Sequence, residues 1–174
     1  MTRPKSVLIA FSAVLVVFVI THALKFPGSL AHLMEATGGQ KILDMQASFS
    51  SAETYQRLEA MGEFGRKAYL RTVLTIDLVF PLTVFAFFTV LARFTTERLR
   101  MSPALSQALR VMPAAYLALD FIENAIILAL LWHFPERLEV LGGAVGYFTR
   151  GKRVAMMLAM FLPPALFLKA KATS

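Results

Sequence analysis

Four stretches of the chain are apolar over enough residues to approach a bilayer crossing, and polar positions gather mostly between them. A hydrocarbon core about 30 Å thick needs roughly 20 apolar residues of helix. Residues 6–24 carry no formal charge and are stopped by Lys25, Phe26, Pro27 and Gly28, a helix-ending cluster. Further runs cover about 70–92 and 111–133. The fourth, about 152–168, is short and contains Pro163-Pro164, so its helix is expected to start near Lys152, with the basic residues there reaching back to the interface. The pattern predicts an all-α fold, a bundle of four transmembrane helices forming one integral membrane domain over residues 1–174. A cleaved signal peptide is the rival reading of the first run, because Arg3 and Lys5 precede it and Thr21-His22-Ala23 resembles a cleavage site. The run is long for that purpose, which favours an anchor.

The loop of residues 25–69 carries a pattern of its own. Ser50-Ser51-Ala52-Glu53 has the form of a capping box, and Tyr55, Leu58 and Met61 follow at helical spacing. This predicts an extracytoplasmic amphipathic helix, a lid over the mouth of the bundle, interrupted by Gly62 and Gly65 before the second span. Arg3, Lys5, Arg93, Arg98, Arg100, Arg110, Lys169 and Lys171 flank the spans on the other side, which places both termini in the cytoplasm.

A hydrophobic content of 57% against 17% charged residues excludes an ordinary soluble domain. The net charge of +7 would suggest nucleic acid in such a domain, but here the cations flank apolar runs and serve topology and anionic lipid headgroups. Membrane lipids are therefore the expected partners, with other membrane proteins or further copies of the chain as candidates, and nucleic acid is not expected. The absence of cysteine removes thiolate metal sites and paired-thiol redox chemistry. His22 and His133 lie near the ends of spans without paired ligand spacing, so neither a metal nor another cofactor is expected.

Ionisable groups inside a membrane span are costly, and those that persist usually face the protein interior. Asp77 lies in the second span; Tyr116, Asp120, Glu123 and Asn124 share one helical stripe of the third. Pro81 follows Asp77 by four residues, so it removes the amide that would have bonded the Asp77 carbonyl and predicts a kink there, with carbonyl and carboxylate as adjacent acceptors. Converging carboxylates cannot all stay ionised unless they share a cation. Ala114 and Ala118, then Ala125 and Ala129, are spaced for close helix packing, as are Gly142 and Gly146.

The succession AMGEFGRKAYL, DLVFPL, a basic loop and LALDFIENAIIL resembles a family of small bacterial four-helix membrane proteins of unassigned function. The resemblance implies a bacterial inner membrane location and a signature of Gly65, Arg66, Tyr69, Asp77, Pro81, Asp120, Glu123 and Asn124. It supplies no reaction. The leading expectation is an intramembrane site built from Asp77, Tyr116, Asp120, Glu123 and Asn124, which binds a small ligand or docks the chain to a membrane complex. An enzyme acting on a lipid or isoprenoid, with Asp77 and Glu123 as acid and base and Asp120 stabilising charge, is the alternative. A proton-linked transporter is a third reading, and hydrogen bonds that merely glue the helices together would explain the same residues.

Overall fold

The structure, a computed structural model, describes residues 2–172 and is all-α, with no strand among those residues. Helix α1 (Pro4–Phe18) starts on a proline suited to a first turn and runs on through a π-helical turn (Val19–Ala23). Short α2 (Leu30–Ala36) is capped by Ser29, whose hydroxyl accepts from the His32 amide. Helix α3 (Ser51–Ala60) is followed by α4 (Gly62–Val73), α5 (Ile76–Arg98), α6 (Pro103–His133) and α7 (Glu139–Ala172). Residues Pro4–Ala23, Gly62–Arg98, Pro103–His133 and Glu139–Ala172 form four helical stretches long and apolar enough to cross a membrane. This is the architecture of a multi-pass membrane protein.

Several local expectations change. The helix of the fourth apolar run begins at Glu139, not near Lys152, and continues unbroken through Pro163 and Pro164. Lys152 therefore sits mid-helix. Gly62, at φ 64°, separates α3 from α4 because only glycine takes that left-handed conformation without strain, whereas Gly65 lies inside α4 and interrupts nothing. The capping box is half realised: Ser50 Oγ accepts from the Glu53 amide at 3.2 Å, but the Glu53 carboxylate takes the Ser48 hydroxyl and Arg57. The break in the second span falls at Leu74 and Thr75, before Asp77. Ala114, Ala118 and Ala125 are exposed and Ala129 is half-buried, so these alanines do not seat a neighbouring helix.

Helix α6 packs along both α5 and α7, α5 also meets α7, and α1 lies along α5. α1 buries none of its own residues. Two apolar clusters fill the bundle. One gathers Leu33, Ile42, Leu43, Tyr55, Leu58, Tyr69, Ile127, Leu130 and Val145 beneath α2, α3 and the segment after α2; the other gathers Val84, Phe87, Phe88, Tyr116 and Ala159. Tyr55, Leu58 and Met61 are all buried, so α3 presses its apolar stripe onto the bundle as its spacing predicts. At 1.5 Å per residue, the 31 residues of α6 and 34 of α7 reach about 46 and 51 Å, longer than a hydrocarbon core about 30 Å thick. The first cluster, with α2 and α3 over it, takes up the surplus length at one end.

Residues 42–50 thread between the helices of that end. Gly146 and Gly142 make room: a β-carbon at Gly146 would lie 2.9 Å from the Ser48 nitrogen and nearer still to its carbonyl, and one at Gly142 would lie 3.2 Å from the Ser51 Cα. The glycine spacing thus seats a loop and the start of α3 rather than a second spanning helix. Thr54 Oγ1 donates to the Gly142 carbonyl at 2.7 Å, and Arg153 donates to the carbonyls of Asp44 and Met45.

Candidate functional site

A polar layer separates the two apolar clusters. On α6, Asp120, Glu123 and Asn124 are buried, as their shared stripe predicts, and Tyr116 sits one turn away with its ring edge-on to Phe88 at 5.7 Å. α7 supplies the cation: Lys152 Nζ lies 3.1 Å from Asp120 Oδ1 and pairs directly with Glu123. Its side chain is 15% exposed, against 6% for Asp120 and 0% for Glu123. Thr149, one turn earlier on α7, donates its hydroxyl to the other Glu123 oxygen. Two carboxylates thus share one ammonium and a hydroxyl, which makes a buried network of this kind tolerable.

Asp77 joins through its backbone. Pro81 leaves the Asp77 carbonyl without its helical donor, and the Asn124 amide supplies one at 3.0 Å while also donating to Asp120 Oδ2 at 3.2 Å. The carbonyl and carboxylate of Asp77 are therefore not two free acceptors, as the sequence suggested, because Asn124 takes the first. Only the carboxylate remains. Asp77 Oδ2 is buried and meets no hydrogen-bond donor in the protein.

Asp77 belongs to the lining of a cavity of about 200 Å³. The cavity is lined by Asp77, Phe80 and Pro81 of α5, Tyr116, Asp120 and Asn124 of α6, and Lys152, Arg153 and Met156 of α7, together with His22 and Asp44. Glu123 is absent from the lining; it stands behind Lys152 as an anchor. Asp44 is held by Tyr69, whose hydroxyl donates to Asp44 Oδ1 at 2.6 Å and accepts from the Asp44 amide at 3.3 Å. Arg153 directs donors at backbone carbonyls of the loop. Of the three carboxylates facing the cavity, Asp44 and Asp120 have donors and Asp77 alone is unmatched at Oδ2.

Sequence reasoning placed Asp77, Tyr116, Asp120, Glu123 and Asn124 together; Asp77, Tyr116, Asp120 and Asn124 line one cavity, and Glu123 stands outside its lining, paired with Lys152. That reasoning missed Lys152, Thr149, Asp44 and Arg153, and it assigned His22 only to a span end. One signal was present: Thr149 and Lys152 stand three residues apart on a helix, the spacing needed to face a pair of acids. Among the described residues no group of histidines and carboxylates has the arrangement of a metal site.

The fold and the polar layer together define a multi-pass membrane protein with a charged layer across its bundle. No known protein family, curated protein or solved structure matches the chain.

Proposed function

We propose that the chain binds a small basic ligand in the cavity beside Asp77, with that carboxylate as the accepting group. One observation carries the reading: Asp77 lines the cavity and its Oδ2 is buried with neither a donor nor a cation, whereas Glu123 Oε2, which also lacks a regular hydrogen bond, has Lys152 as its ion-pair partner, and Asp120 and Asp44 have donors in Lys152, Asn124 and Tyr69. A buried acceptor without a partner costs free energy that a donor in the cavity would return. Acid and base chemistry by Asp77 and Glu123 finds less support, because Glu123 is held by Lys152 and Thr149 behind the cavity wall.

Titration of the solubilised protein with alkylammonium ions tests this. Wild type is expected to bind, and Asp77→Asn to bind at least about tenfold more weakly with its helix content intact, the loss of one charge-assisted bond. Equal binding by the two proteins would sink the proposal.

The same reading places both termini in the cytoplasm of a bacterial inner membrane, with α3 outside. Eight cations stand with Glu97 as the sole acid at the end formed by Arg3, Lys5, Arg93, Arg98, Arg100, Arg110, Lys169 and Lys171. The cysteine-free chain gives a clean check. In intact cells an impermeant maleimide should label Gln40→Cys, at an exposed loop position, and spare Ala104→Cys, at the start of α6, until the membrane is opened. The reverse pattern would invert the topology.

A further inference from the structure

Resting on that ligand site, we infer that its ligand is an amphiphile: an ammonium head sits at Asp77 while an apolar tail stays in the lipid, lying along a slot between α1 and α7. Three features of the fold lead there. The first is size. Drug-sized ligands occupy pockets of about 300–1,000 Å³, and this cavity of about 200 Å³ holds a head but not a chain.

The second is an open side. α5, α6 and α7 pack on one another and close three walls, but α1 lies along α5 without a comparable seam to α7. The lining includes His22, in the π-helical turn that follows α1, and Met156 on α7. Phe18 of α1, Ile20 of the π-helical turn after it, and Met157, Met160 and Phe161 of α7 are exposed, so the helices on either side of the slot present apolar surface to the lipid.

The third is level. His22 packs edge-on to Phe80 at 5.0 Å, one turn from Asp77, which sets Asp77 beside the last turn of the apolar run of α1. That is the edge of the hydrocarbon, where an amphiphile keeps its head while its tail continues inward. Asp44 and the loop held by Arg153 and Tyr69 lie at the head end, so the route for a tail is sideways into the bilayer.

Dodecylamine, ethylammonium and dodecanoate, titrated against the protein in lipid nanodiscs, separate this inference from the ligand site itself. Dodecylamine is expected to bind wild type at least tenfold more tightly than ethylammonium does, to lose at least tenfold in Asp77→Asn, and to outcompete dodecanoate. Met160→Trp, one turn beyond the cavity on the exposed apolar surface of α7, should weaken dodecylamine and leave ethylammonium unchanged, and it provides the readout should Asp77→Asn fail to fold. If ethylammonium binds as tightly as dodecylamine and both need Asp77, the site stands and the amphiphile is wrong. If dodecylamine binds Asp77→Asn as well as wild type, it is merely partitioning into lipid, and the inference falls. Should neither amine bind, the ligand site falls with it.

Discussion

Lys152→Met is expected to destabilise the bundle by about 3–5 kcal/mol, measured by unfolding in mixed micelles with increasing denaturing detergent. Methionine keeps most of the length and apolar bulk of lysine, so the packing of α7 on α6 changes little. What changes is charge. Glu123 is fully buried and Asp120 nearly so, and Lys152 is the one cation paired with either among the described residues. Removing it strands two carboxylates in a layer sealed by apolar clusters on both sides. A further Glu123→Gln change should return part of the loss, because it withdraws the more deeply buried charge. A loss below about 1 kcal/mol for Lys152→Met would mean that the ammonium does not hold the layer together.

Gly146→Ala should cost about 3 kcal/mol, at the upper end for overpacking, because its β-carbon would meet backbone atoms of Ser48 and no flexible side chain can yield. The effect extends beyond stability. The Ser48 segment continues to Asp44 and Met45, which Arg153 ties to α7, so displacing it opens the head end of the cavity. Limited proteolysis should then cut between residues 38 and 50 faster in the variant. Gly143→Ala is the control: its nearest neighbour would stand 3.9 Å from the new carbon, and the change should be silent or slightly stabilising within a helix. Equal behaviour of the two variants would show that the loop does not depend on close approach to α7.

The helices were readable in the sequence because long apolar runs have few other uses, and the stripe from Tyr116 to Asn124 was readable because acids in such a run must turn inward. Asp77 was readable through Pro81, whose effect on a carbonyl four residues earlier is local chemistry. Lys152 was not. It stands beside Arg153 near the start of the most apolar part of α7, where a lysine ordinarily marks the membrane surface. Only the continuation of α7 back to Glu139, through Gly142, Gly143, Gly146 and Gly151, reveals that it lies mid-helix. The loop residue Asp44 and the glycines that seat its segment depend on contacts between positions about 100 residues apart, such as Arg153 with Asp44, which no local pattern encodes.

The central claim is that Asp77 is the accepting group for a basic ligand, and native mass spectrometry of the gently extracted protein tests it most directly. Wild type should carry a small basic molecule that Asp77→Asn lacks while both remain folded. The same adduct on both proteins would place the ligand elsewhere and leave the polar layer as a device for holding helices together.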